Sequence, residues 1–258
     1  LNPAFVVSQQ AILSATIAKT NVTCNGAGDG TISITSPTGG YGTYQYSING
    51  GTSWQGSGAY TALPPATYVV QIRDAAQTGC VITLNGALEV TQPNILNAIV
   101  NSTDITCNAA DDGTISITSP SGGYGTYQYT VDGGLNWQGS GNFIGLTDGF
   151  YDVQIRDAVQ IACVITLDAT LEITEPVVLS ATLARTHVTC FGANDGTITI
   201  STPLGGYGTY AYSINGGTSW QSSGSFSGLI PGPYDVQIRD AVNTGCVIIL
   251  NGAYAITE

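Results

Sequence analysis

Six cysteines carry the most reactive side chains of this chain, and they form two series. Cys24, Cys107 and Cys190 recur at a step of 83 residues, and Cys80, Cys163 and Cys246 recur at the same step. An even number of cysteines at regular spacing points to disulfide chemistry and an oxidising compartment. Two per copy, 56 residues apart, favour one bond inside each copy: Cys24–Cys80, Cys107–Cys163 and Cys190–Cys246. Bonds between copies, Cys80 with Cys107 and Cys163 with Cys190, are the rival pairing. A within-copy loop of that size would stabilise by about 4 kcal/mol in the chain-entropy view. Structural zinc needs four ligands at short local spacing, and the single His187 supplies no repeated partner.

Carboxylates and aromatics repeat at the same step. Asp29, Asp112 and Asp195 sit in Gly-rich turns and are candidates for calcium, which takes six to eight oxygens. The competing reading is that Asp-Gly simply marks a turn, with no cofactor at all. Asp74, Asp157 and Asp240, each after an arginine at the end of the main strand, join the calcium candidates; the competing reading is a local cap or pair at a solvated strand end, where ion pairs contribute about 0–1 kcal/mol. Trp54, Trp137 and Trp220 share one register, near the loops that carry Tyr41, Tyr124 and Tyr207. Exposed, these aromatics could stack on sugar rings, one site per copy; otherwise each tryptophan is a core residue. His187 stands where the other copies have Asn21 and Asp104, so it belongs to no repeated catalytic set. Hydrolase, zinc-protease and phosphate-loop patterns are missing, and the chain does not read as an enzyme. An isopeptide cross-link is disfavoured, because the one lysine, Lys19, becomes Ser102 and Arg185 in the other copies.

Composition narrows the partners. The net charge is −12 with five cations in 258 residues. Nucleic-acid binders and anionic membrane surfaces both require clustered Lys and Arg, so neither is expected. Charged residues make up 9%, against a usual value of about 25%. The aliphatic and aromatic content still argues against disorder. No apolar run is long enough for a membrane helix. Residues 1–10 read as the end of an earlier copy or a linker, because Val6 to Gln10 parallels Glu89 to Pro93. The chain therefore reads as a piece of a longer repeat protein.

A fixed long period governs the fold. Three copies are expected, at 11–93, 94–176 and 177–258. In the first, alternation places strands over Leu13–Thr20, Thr31–Thr35, Tyr44–Tyr46, Ser53–Gln55 and Tyr68–Arg73. Two more run from Cys80 to Leu84 and from Leu88 to Thr91, with Asn85-Gly86 as a kink or turn. Asn49-Gly50-Gly51 makes a hairpin turn. Leu63 and Tyr68, before a long strand, match the tyrosine corner of immunoglobulin-like domains. The fold class is all-β: three tandem immunoglobulin-like sandwiches. Short Pro-containing joints at Pro93 and Pro176 suggest an extended rod.

One copy as a whole resembles the SprB repeat, named for the large gliding-motility adhesin of flavobacteria. The resemblance rests on the ordered set Thr23-Cys24, Asp29 to Ile32, Gly39-Gly40, Tyr44, Tyr46-Ser47, Asn49 to Gly51 and Trp54-Gln55. It continues through Leu63, Tyr68, Ile72 to Ala75, Cys80 and a terminal Glu175-Pro176. Copy two has Asp132-Gly133 for Asn49-Gly50, and Gln92 replaces Glu at the first joint. The resemblance implies export by type 9 secretion and display outside the cell on the bacterial surface. It implies a protein that is moved along the cell or holds it to a substratum, and the chain reads as a force-bearing, multivalent stalk for gliding or attachment, with carbohydrate-binding repeats using the period-matched aromatics as the alternative. Its partners would be external surfaces or polysaccharides, neighbouring repeats, and secretion and gliding machinery bound through other regions.

Overall fold

The computed structural model describes residues 9–258, and every element in it is a β-strand. The first copy runs β1 (Ser14–Thr20), β2 (Gly30–Thr38), β3 (Tyr44–Ser47), β4 (Ala59–Leu63), β5 (Ala66–Asp74) and β6 (Val81–Val90). They form two antiparallel three-stranded sheets, β1-β2-β4 and β3-β5-β6. Strands over 97–173 and 180–256 repeat this arrangement twice. The reading of residues 1–10 as the tail of an earlier copy falls, for residues 1–8, outside the described residues.

Period-two alternation builds the sandwich. Ile32 and Ile34 on β2 face Val70 and Ile72 on β5, and Tyr46 and Val90 close the same core. Each such aliphatic side chain, fully buried, contributes about 1.5–3 kcal/mol. Ile198, Ile200, Val236 and Ile238 do the same in the third copy. Gly30 opens β2 with no side chain because one would not fit. An added Cβ would lie 2.6 Å from Val90 Cγ1 and 2.8 Å from the Leu63 carbonyl oxygen.

The tyrosine corner is present. Tyr68 donates its hydroxyl to the Pro64 carbonyl at 2.8 Å, and Tyr151 and Tyr234 donate to Thr147 and Ile230. Six strands per copy are found where about seven are expected. Ser53–Gln55 makes only a bridge, Gln55 to Tyr46. The Gly56-Ser57-Gly58 break then lets the chain turn away to become β4 on the other sheet. The two final strands are a single one, β6, with irregular pairing beside Asn85.

By contact density the chain forms two compact units. Among the described residues, one comprises 9–98, 119–128 and 155–165; the other comprises 99–118, 129–154 and 166–258.

Candidate functional site

The cysteines pair in neither expected pattern. Cys24 bonds Cys163 and Cys107 bonds Cys246, each across 139 residues of sequence. Each bond joins the first cysteine of one copy to the second cysteine of the next. Cys80 and Cys190 are exposed thiols. Placement explains the correction. Cys24 lies on the turn after β1, beside the exit of its copy: Val22 N–H donates to the Thr91 carbonyl, and Asn25 Nδ2 donates to the Pro93 carbonyl at 3.0 Å. Cys80 lies beside the entry, in a cleft lined by Ala11, Ile12 and Leu13. One copy's two cysteines thus mark opposite ends of its path, and each meets a neighbour's instead.

Around each bond stands a small clasp. In the first unit, Tyr124 donates its hydroxyl to the Thr23 carbonyl at 3.2 Å. Gln92 accepts the Gly26 N–H at 2.9 Å, fastening the joint to the same turn. In the second unit, Tyr207 donates to the Ile105 carbonyl at 3.0 Å, and Asn243 Nδ2 donates to the Thr106 carbonyl at 3.2 Å. Glu175 accepts the Ala109 N–H there. Tyr124 and Tyr207, read from the sequence as sugar platforms, are engaged in the clasps. Tyr41 has its backbone N–H bound to Asp74 and is 59% exposed.

Aspartates brace both sides of the clasp. Asp29 accepts from Thr23 through both oxygens, from the backbone N–H at 2.8 Å and from the hydroxyl. Asp112 holds Thr106 and Asp195 holds Thr189 in the same way. The threonine hydroxyl, and then its N–H, hold these three carboxyls below the usual carboxylate range. Their oxygens thus serve the turn that presents the cysteine. Among the described residues no three His, Cys, Asp or Glu side chains gather at one point.

Asp74, Asp157 and Asp240 are not solvated strand ends; all three have no solvent exposure. Asp74 accepts the N–H groups of Tyr41, Ala76 and Gln77, so one carboxylate ties two loops at the entry. The Tyr41 N–H is the largest cause of its lowered pKa. Burial pushes Asp157 and Asp240 up, and three backbone donors on each outweigh it, leaving both lowered. This carboxylate also explains the Gly-Gly pair. Gly40 has φ +60°, and a Cβ there would lie 2.4 Å from Asp74 Oδ2.

The tryptophans are half-buried on the hairpins rather than in the core. Trp54 and Trp220 donate their indole N–H to Gly51 and Gly217 carbonyls, with Arg73 and Arg239 each 4.4 Å above the ring. Trp137 donates to the Gly134 carbonyl. The cleft beside Trp137 is lined by Asp132, Asn136 and Phe143, without Tyr124.

A family model, the SprB repeat, matches residues 16–53, 99–136 and 182–219. The chain carries three SprB repeats. The matched segments span the cysteine-bearing turn, the Gly-Gly loop and the hairpin up to the tryptophan. Among solved structures the chain is similar to the three N-terminal domains of the highly immunogenic outer capsid protein of bacteriophage RB49. That likeness has a TM-score of 0.39 at 12% identity, over 95% of this chain and 99% of that one. No curated protein matches the chain.

Some substitutions between the SprB repeats keep the local chemistry and others do not. Asn21 and Asp104 accept the N–H of Thr91 and Thr174, and His187 does so for Thr257 through Nδ1 at 2.9 Å. His187 therefore does belong to a repeated set, of acceptors that pin the last strand. Two positions lose that chemistry: Arg239, whose Nε is buried with no hydrogen-bond partner, and Phe191, which cannot donate to the joint carbonyl as Asn25 and Asn108 do. No helix among the described residues is long and apolar enough to cross a membrane. The disulfides fit an oxidising location outside the cytosol, and SprB repeats point to a cell-surface protein.

Proposed function

We propose that this chain is part of a large bacterial surface adhesin used in gliding or attachment, in which the SprB repeats act as a force-bearing stalk. One observation carries the reading: the disulfide from each repeat to the next. A binding module has no need to be bonded to its neighbour, whereas a segment under tension gains a second covalent path around each Pro joint. Structural chemistry also takes up the residues that could have formed a site. Two of the three loop tyrosines anchor the clasp, and the turn aspartates hold the cysteine turns. The repeats would thus act as structural domains, with adhesion arising from many weak contacts or from other regions of the parent.

Bead adhesion tests this. Beads coated with the chain are presented to glass and to a polysaccharide panel, while antibodies to the chain are applied to intact source cells. The stalk reading expects labelled cells and beads that bind nothing. Saturable binding to one polysaccharide, abolished in a folded Trp54→Phe, Trp137→Phe, Trp220→Phe variant, would replace it with the carbohydrate-module reading.

A further inference from the structure

We infer that the cleft around Cys80 is a docking site for the cysteine-bearing turn of another SprB repeat, and that the Cys190 turn of a second copy of this chain is an occupant that fits it. This rests on the clasp geometry and is independent of whether the chain is a stalk.

Among the described residues, the Cys80 cleft lacks one wall that completes two equivalent clefts. Leu13, Gly40, Cys80, Val81 and Ile82 line it. Their counterparts Leu96, Gly123, Cys163, Val164 and Ile165 line the cleft at the first clasp, and Leu179, Gly206, Cys246, Val247 and Ile248 line the second. In those two, a preceding repeat completes the wall with Cys24 and Asn25, or with Cys107 and Asn108. Their volumes are about 210 and 200 Å³, against about 400 Å³ at Cys80. Cys163 and Cys246 are 7% and 8% exposed, whereas Cys80 is exposed. Tyr41 holds the position from which Tyr124 and Tyr207 donate to the incoming turn. Gln77 holds that of Asn243, the other donor.

The occupant is equally well defined. Thr189-Cys190 is the turn of the third repeat, already shaped by Asp195 as Thr23 is by Asp29. Next to it, Phe191 replaces Asn25 and Asn108 and is 92% exposed. It would meet Ile12, Val81 and Ile82, all exposed at the cleft. Such a contact is head-to-tail, so it builds open chains or closed rings according to the rotation between copies.

Bond formation needs an oxidant, and a low-molecular-weight disulfide such as oxidised glutathione supplies it. The Cys80 thiolate attacks that disulfide and releases one small thiol. Cys190 then attacks the mixed disulfide at the Cys80 sulfur and releases the second. Two protein thiols are oxidised to one disulfide while the small disulfide is reduced to two thiols.

The test mixes two variants, Cys80→Ser and Cys190→Ser, in a glutathione redox buffer. The mixture should yield a covalent dimer that peptide mapping assigns to Cys80–Cys190, with Cys24–Cys163 and Cys107–Cys246 intact. Each variant alone should yield little. Adding Tyr41→Ala to the Cys80-bearing chain should slow dimer formation roughly fivefold, the worth of one hydrogen bond. Equal dimer from single variants and mixture, or a rate indifferent to Tyr41, would overturn the proposal by showing indiscriminate thiol chemistry.

Discussion

Ala211 lies opposite Arg239 on paired strands of the third repeat, and it leaves the arginine Nε buried without a partner. In the other repeats a glutamine takes that place: Gln45 accepts from Arg73 Nε at 2.7 Å and Gln128 from Arg156 Nε at 2.8 Å. A buried donor left unpaired costs about 1–3 kcal/mol. Ala211→Gln should therefore stabilise the chain by about 1 kcal/mol, read as a raised urea midpoint at unchanged slope. A lowered midpoint would show that the arginine prefers its present packing over Trp220.

Acid should unfold the chain below about pH 4. Asp29, Asp112 and Asp195, with Asp74, Asp157 and Asp240, all have lowered folded-state pKa values. Burial raises Asp132, but hydrogen bonds from Asn136 and Thr130 outweigh it and bring it to about 2. A carboxylate depressed on folding stabilises fully above its unfolded value of about 3.9, and that contribution is lost as pH falls through the folded value. Melting temperature should be level from pH 5 to 7 and fall between pH 4 and 2. A decline beginning near pH 6 would point to other groups.

Asp240→Ala should cost about 3 kcal/mol. It strands three backbone donors, those of Tyr207, Val242 and Asn243. Thermal denaturation of the variant should show an early transition for the third repeat. Loss under 0.5 kcal/mol, the range of ordinary surface changes, would mean that water replaces the carboxylate without penalty.

Pulling the chain between Cys24 and Cys246 should distinguish the bonded state sharply. With both disulfides the shortest covalent path runs through the 56 residues from Cys107 to Cys163, about 200 Å when extended. Reduced, the path is 222 residues, about 780 Å. Single-molecule extension with and without reductant reads the difference directly. Equal contour lengths would show that the bonds do not form in solution.

The copies, their sandwich and the corner tyrosine were legible in the sequence, because hydrophobic alternation and a fixed period report directly on sheet faces. Cysteine pairing was not. Spacing tells how far apart two cysteines lie along the chain, and Cys24 and Cys80 are divided by direction, one at the exit of the repeat and one at its entry. Asp74 was misread for a related reason. An Arg-Asp dipeptide at a strand end looks solvated until the Gly39-Gly40 loop and the Ala76-Gln77 turn fold over it. The signal that could have found it was Gly40 itself, repeated as Gly123 and Gly206, since a glycine kept in every copy of a loop leaves room for something. His187 looked isolated by residue type, while its role as an acceptor depends on a ring nitrogen that Asn and Asp oxygens imitate.

The two disulfides overlap along the sequence, since Cys107 lies inside the span from Cys24 to Cys163. Every peptide bond between Cys24 and Cys246 therefore belongs to a closed covalent ring. One proteolytic nick anywhere in that interval leaves both fragments attached, and only a second cut can release a piece. Three independently closed domains would survive a nick inside a loop but part at a cut between Cys80 and Cys107 or between Cys163 and Cys190, and the interlocking removes those two weak intervals.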